Sequence, residues 1–203
     1  GDGRKLRLLF SMSHLSAIEG EKNMVKKVLV IGTSPRLNGN TNILARAFAD
    51  GAKEAGNDVE FLPLAGKRIG FCVGCWGCLK TKSCVVNHDE TEEVVQKMRD
   101  ADVIAFATPI YYYEMSGQMK TLLDRTNCLY TADYRFRGIY LLTAAEATSP
   151  DTPEHTIGRL KGWLKVFSKA AFKGMVFAGG TTADGTIKGH PEIDKAREMG
   201  QTV

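Results

Sequence analysis

The sequence predicts a doubly wound α/β fold on five parallel strands. Five short apolar runs, at 26–32, 58–64, 102–108, 138–144 and 174–180, alternate with stretches of helical apolar spacing. The first run, KKVLVIG, is apolar without alternation and ends in glycine, as in a strand covered on both faces. With 203 residues, 43% of them hydrophobic and 25% charged, the chain can bury one sizeable core.

The elements follow in order. After the first strand, 40–55 reads as a helix with Leu44, Ala47, Phe48, Gly51 and Ala52 on one face. DVEFLPL (58–64) is the second strand, and Pro63, which cannot donate to a ladder, places it at an edge. Asp89 can cap the next helix, with Glu92 at its third position and Val94, Val95 and Met98 facing inward. DVIAFAT (102–108) is the third strand. A helix over 115–130 carries Met115, Met119, Leu122 and Leu123. GIYLLTA (138–144) is the fourth strand. Pro153 suits the first turn of a helix in which Ile157, Leu160, Leu164, Phe167 and Ala171 recur at intervals of 3, 4, 3 and 4. GMVFAGG (174–180) is the fifth strand, and a short helix starts at Glu192. Residues 1–23 are polar and irregular, and read as a leader or N-terminal arm before a single domain over 24–203.

A net charge of +4 suits an anionic small ligand, and no dense Lys/Arg run marks a nucleic-acid patch. No apolar stretch approaches the roughly 18–20 residues needed to cross a membrane. The early RKLRLLFSM is too short to be a signal peptide, so the expected location is the cytoplasm. Clustered cysteines there point to metal or redox chemistry rather than a disulfide framework.

Ligands of doubly wound sheets bind beyond the carboxyl ends of the strands, which directs attention to the loops after 32, 108, 144 and 180. GTSPRLNGNTN (32–42) enters the first helix, where free N–H groups and the positive dipole end favour phosphate. It has neither G-x-G-x-x-G nor G-K-[ST]. It offers instead the donors of Ser34, Arg36, Asn38, Asn40, Thr41 and Asn42, enough to surround a terminal phosphate monoester. The simpler alternative is a polar turn whose Asn40 and Thr41 only cap the helix.

This loop resembles the phosphate loop of the flavodoxin-like NAD(P)H-dependent FMN reductases. FATPIYYYEMSGQMKTLLDRT (106–126) is similar to the same family's segment of proline, aromatic and small residues followed by Met-Lys and Asp-Arg. The likeness runs from about residue 26 to the C-terminus. It implies a flavodoxin-like five-stranded parallel sheet with helices on both faces. It also implies that Ser34, Arg36, Asn40, Thr41 and Asn42 hold the phosphate of FMN. Pro109, Ile110, Tyr111, Tyr112 and Tyr113 would line the flavin; the alternative, that the three tyrosines pack a subunit interface, is compatible with this. Thr143 and Ala144 begin a further loop that would border the ring or ribityl chain. Glu146 reads as a solvated acid, and the glycine-rich 178–185 as either a site loop or plain turn geometry.

GFCVGCWGCLKTKSC (70–84) contains Cys72, Cys75, Cys78 and Cys84. Its C-x2-C-x2-C-x5-C spacing resembles the iron–sulfur flavoproteins, a branch of the same superfamily with a four-cysteine [4Fe–4S] cluster beside FMN. Other readings stay open: zinc on Cys75, Cys78, Cys84 and His88, a Cys75–Cys78 disulfide, or reduced thiols in a tight loop. Cys128 reads as a small core residue, and His14, His155 and His190 carry no assigned chemistry.

The resemblance implies an FMN-dependent oxidoreductase that takes hydride from NAD(P)H and passes electrons to a quinone, flavin, nitroaromatic or protein acceptor. The flavin carries that chemistry, so no catalytic side chain is required. The alternatives are an FMN plus [4Fe–4S] electron-transfer module fed by ferredoxin, and a binding or regulatory protein on the same fold. A homodimer or homotetramer is expected, and neither a nucleic-acid nor a membrane partner.

Overall fold

The computed structural model describes residues 24–86 and 88–203. The segment 1–23, read above as a leader or arm, lies outside the described residues. The elements are β1 (Lys27–Gly32), α1 (Asn40–Glu54), β2 (Asp58–Pro63), a single-turn α2 (Cys78–Thr81), α3 (Thr91–Asp100), β3 (Val103–Tyr111) and β4 (Glu114–Met115). They continue with α4 (Gly117–Arg125), a 3-10 turn (Thr126–Leu129), β5 (Gly138–Ala144), α5 (Glu154–Leu164), β6 (Ala171–Ala178) and α6 (Glu192–Gln201).

Five strands pair in parallel in the order β2-β1-β3-β5-β6, so strand order reverses between β1 and β3. There Val30 pairs with Phe61 on one side and Ala105 on the other. β2 is an edge strand, as Pro63 required. The short β4 turns back antiparallel on the end of β3, pairing Met115 with Ile110 and Glu114 with Tyr111. The two linking residues, Tyr112 and Tyr113, have φ of 50° and 63°. Two positive φ values are the signature of the tight turn that Asn-Gly usually makes.

The core lies on both faces of the sheet. Val28 and Val30 of β1, with Ala105 and Ala107 of β3, pack under α1 and α6 through Leu44, Phe48, Ala52 and Ala196. Leu29 and Ile31, with Ile104 and Phe106, pack on the other face against Val94, Val95 and Met98 of α3, Met119 and Leu122 of α4, and Leu160 of α5. α1 and α6 meet backbone to backbone. A Cβ at Gly51 would collide with the Arg197 carbonyl, and one at Gly200 with the Phe48 carbonyl.

Several boundaries differ from the sequence reading. β3 extends past 108 to Tyr111 because β4 extends its pairing. The helix expected over 115–130 begins at Gly117, capped by Ser116 Oγ accepting from the Met119 N–H, and tightens to a 3-10 turn after Arg125. The 3, 4, 3, 4 pattern overran its helix: α5 ends at Leu164, Phe167 is buried beyond it, and Ala171 starts β6. The fifth strand accordingly runs 171–178 rather than 174–180. Asp89 is not the cap of α3: the N-cap is Glu90, with no side-chain cap bond. Asp89 stands one residue earlier, accepting the Thr91 N–H at 3.0 Å, while Glu92 makes no reciprocal cap. It turns to the cysteine loop, accepting from Ser83 Oγ and, at 3.1 Å, from the Cys84 N–H.

Candidate functional site: a phosphate-and-ring cleft and a four-cysteine pocket

A cleft of about 290 Å³ opens at the carboxyl ends of β1, β3 and β5, next to the reversal of strand order. Three buried hydroxyls beneath it tie the strand ends together. Thr33 Oγ1 donates to the Ala107 carbonyl at 3.0 Å and lies 3.1 Å from Ser116 Oγ, which accepts from Thr108 Oγ1 at 3.2 Å. The loops after β1 and β3 are thereby fixed to the start of α4.

One end of the cleft is built for an anion. α1 starts at Gly39 with no side-chain cap, and the Asn40 and Thr41 N–H groups have no acceptor in the described residues. Ser34, Arg36, Gly39, Asn40 and Thr41 line this end. A Cβ at Gly39 would crowd this end, standing 2.8 Å from Ser34 Oγ and 3.2 Å from the Arg36 carbonyl. The Arg36 guanidinium is half-exposed and donates to Asp184 at 3.1 Å. The other end is walled by Pro109, Ile110, Tyr111, Ala144 and Ala145, with Glu146, Thr181 and Thr182 closing the rim. Donors at one end and apolar surface at the other match the phosphate and the ring of FMN. The residues present therefore fit that group.

Of the sequence candidates, Ser34, Arg36, Asn40, Thr41, Pro109, Ile110, Tyr111 and Ala144 come together on this cleft. The other five lie outside its lining. Asn38 points to solvent. Asn42 is buried and shapes the loop from behind, donating through Nδ2 to the carbonyls of Arg36 (3.0 Å) and Leu37 (3.1 Å). Thr143 is buried within β5. Tyr112 and Tyr113 stand on the turn, the first fully exposed. Asn40 also latches the loop after β6 to α1, because its Nδ2 donates to the Ala183 carbonyl at 3.0 Å and its Oδ1 accepts from the Ile187 N–H. Gly39, Ala145, Thr181 and Thr182 are lining residues that sequence reasoning did not single out. Glu146, read as a solvated acid, is both exposed and at the rim. The strand-end rule pointed to these loops, and hydrogen bonds between them bring them together: Thr181 N–H to the Ala145 carbonyl (2.9 Å), Gly180 N–H to the Glu146 carbonyl (3.1 Å) and Arg36 to Asp184 (3.1 Å).

Cys72, Cys75, Cys78 and Cys84 all line a second cavity, of about 200 Å³, together with Val73, Trp76, Val85, Val86 and Arg125. All four are free thiols; Cys72 and Cys75 are exposed, Cys78 and Cys84 half-buried. Two donors reach the sulfurs: Arg125 Nη2 lies 3.2 Å from Cys84 Sγ and Asn127 Nδ2 3.5 Å from Cys78 Sγ. Among the described residues no three His, Cys, Asp or Glu groups converge on a single-ion site, and His88 is exposed, so the zinc set is not assembled. Four thiols lining one cavity, with N–H donors near two of the sulfurs, are the donor set an iron–sulfur cluster uses. Cys128 is packed in the core, where burial above all pushes its thiol up to about 11.

Arg125 closes the neck of this loop. Its side chain is 1% exposed and donates to the Gly70 carbonyl (2.8 Å), the Val86 carbonyl (2.8 Å) and Asp89 Oδ2 (2.8 Å). Asp89 Oδ2 also accepts the Gly70 N–H at 2.8 Å. Burial alone would push the Asp89 carboxyl up. Hydrogen bonds from Gly70, Thr91 and Arg125 overturn that and hold it well below the usual carboxylate range. A depressed carboxyl contributes stability above about pH 4 and loses it as acid protonates the folded state. Acid unfolding followed by circular dichroism is therefore expected to show a flatter stability profile below about pH 4 in Asp89→Asn than in the wild type. Parallel profiles would contradict this account.

A reversal of strand order flanked by a donor-lined end and an apolar wall is the arrangement of a flavodoxin-like α/β protein. The particular family follows from sequence: the profile of the NADPH-dependent FMN reductase family matches residues 26–184, and the chain belongs to that family of oxidoreductases. It is 28% identical over 182 residues to an iron–sulfur flavoprotein of Archaeoglobus fulgidus, covering 88% of this chain and 79% of that one. It is 38% identical over 103 residues to an iron–sulfur flavoprotein of Methanocaldococcus jannaschii, a match spanning 51% of this chain and 53% of that one. The fold is similar to that of an NAD(P)H:quinone oxidoreductase from Methanothermobacter marburgensis, with a TM-score of 0.70 at 19% identity over 88% of this chain and 96% of that one. No helix among the described residues is long and apolar enough to cross a membrane.

Proposed function

We propose that this chain is a two-centre redox protein: an FMN-dependent oxidoreductase that takes hydride from NAD(P)H, with an iron–sulfur cluster on Cys72, Cys75, Cys78 and Cys84. The observation that carries the reading is the meeting of all four thiols on one cavity, linked to the FMN cleft by α4. That helix begins at Gly117, behind the cleft where its cap Ser116 bonds Thr108 next to the lining Pro109, and ends at Arg125, in the cysteine pocket, so about 13 Å of helix lies between them. The names of the relatives support the same reading.

FMN, when bound, supplies hydride acceptance and single-electron release, and a cluster supplies single-electron exchange. The chain's own residues bind and orient. Ser34, Arg36, Thr41 and the first N–H groups of α1 hold the phosphate. Pro109, Ile110 and Tyr111 cover the ring and exclude water from it. The terminal acceptor is a quinone, flavin or nitroaromatic, or a redox protein. Phe71, Val73 and Trp76 stand exposed around Cys72 and Cys75, which favours a protein partner such as a ferredoxin for the cluster side.

An anaerobic absorbance spectrum with iron and sulfide analysis tests the two centres together. Flavin bands with bound iron and sulfide are expected, and a protein unable to bind added FMN would sink the proposal. Mixing with NADH or NADPH without oxygen should bleach the flavin; if neither does, the hydride step is wrong and the protein-fed alternative stands. Arg36→Ala should weaken FMN binding roughly 10- to 100-fold, the effect of losing one charged hydrogen bond. Unchanged affinity in a fluorescence titration would remove Arg36 from the phosphate site.

A further inference from the structure

Arg125 touches both ends of the cysteine segment, the Gly70 carbonyl before it and the Val86 carbonyl and Asp89 after it, and also reaches Cys84 Sγ at 3.2 Å. Cys84 is held a second time, by its N–H donating to Glu92 Oε2 at 3.1 Å. Cys72 and Cys75, by contrast, are exposed. The pocket is therefore anchored on one side and open on the other.

We propose that Arg125 and Asp89 form a charge-balanced clasp that positions the Cys84 thiolate and sets the reduction potential of the centre it ligates. This rests on the cluster reading above. Three physical facts lead to it. A guanidinium is a rigid fork that satisfies several acceptors at once, so it can hold a loop closed and still donate to a sulfur. Cluster potentials depend on net charge and on hydrogen bonds to the sulfurs. Each cluster reduction takes up one electron and adds one negative charge beside a buried ion pair, so changing either partner of the pair changes the stability of the reduced form.

The two partners carry opposite signs, and this gives a test that a merely structural role would not meet. The whole chain is reconstituted anaerobically with ferrous iron and sulfide, and titrated with dithionite as the one-electron reductant while the cluster signal is followed by electron paramagnetic resonance. Arg125→Gln leaves Asp89 uncompensated and should lower the potential. Asp89→Asn leaves Arg125 uncompensated and should raise it. Arg125→Lys keeps the charge without the fork. Its potential should stay nearer the wild type, while its hold on iron against a chelator weakens by about 10- to 100-fold, as for other partners of metal ligands. Asn127→Leu removes the 3.5 Å donor to Cys78 Sγ at an exposed position and should lower the potential slightly without disturbing the fold.

Shifts of opposite sign in Arg125→Gln and Asp89→Asn support the clasp. Loaded variants that keep the wild-type potential, or shift in the same direction, overturn it. If the Arg125 variants do not fold, Asp89→Asn and Asn127→Leu decide: a rise in the first with a fall in the second supports the proposal, and unchanged values reject it. A wild-type chain that takes up no iron and sulfide is a different failure, because it removes the cluster reading on which the clasp rests.

Discussion

Alanine at Gly51 is expected to destabilise the fold by about 1–3 kcal/mol, the usual cost of overpacking, a fall of roughly 2–12 °C in the thermal midpoint for a chain of this size. The added methyl would occupy the space of the Arg197 carbonyl on α6. A backbone carbonyl cannot swing aside like the end of a side chain, so the two helices must separate. The gain in helix propensity, about 1 kcal/mol, does not offset this. Gly158 on α5 provides the control, since nothing lies within 4 Å of its would-be Cβ. Gly158→Ala should therefore raise the midpoint where Gly51→Ala lowers it. Thermal melts that rank the two the other way would contradict the close crossing. Because α1 also carries the phosphate end of the cleft, Gly51→Ala is expected to weaken FMN binding as well.

Cys84→Ser is expected to abolish cluster retention and leave FMN binding intact. In the proposed ligand set Cys84 is the thiol fixed at both its N–H and its sulfur, so its replacement removes the anchored corner. Serine offers a harder oxygen in place of the soft thiolate such clusters use. The residues proposed to hold the FMN phosphate stand on the loop after β1 and the start of α1, away from this cysteine. Iron and sulfide analysis beside a flavin titration measures both effects. Full iron content in the variant would remove Cys84 from the ligand set, and loss of flavin with the iron would show that the two sites are not separable.

Much of the fold was legible because its signals are local. KKVLVIG and GIYLLTA read as buried strands for the reason they are buried: both faces of the sheet are covered. Pro63 marked an edge strand because a missing N–H is tolerated only there. The overrun at Ala171 has an equally physical cause. A residue such as Phe167 can remain in the core after its helix has ended, so periodicity measures burial rather than backbone conformation. In the cleft, the loops after β1, β3, β5 and β6 were legible as candidates because strand ends fix their position. Which residues of the last two line it was not, since the place of Ala145, Thr181 and Thr182 depends on hydrogen bonds between loops 36 residues apart. Asn42 was misplaced for a related reason: it serves the same loop from its buried side, and a set of donors read from sequence cannot tell the two sides apart. Arg125 carried no local signal of its role, since its partners lie between 36 and 55 residues away.

The neck of the cysteine loop also bears on how such a protein could be assembled from parts. Gly70 and Asp89 are joined directly, and the Glu90 N–H returns to the Arg68 carbonyl at 2.9 Å, so the intervening segment leaves the fold and rejoins it at nearly the same point. Nothing in the sheet order depends on that excursion. An insertion whose ends already meet adds little constraint to its host, because the host closes the same gap with or without it. The segment is a near-closed excursion from the frame, tethered along its length by Glu92, Arg99 and Asn127. Arg125 belongs to the frame, and its fork gathers the neck.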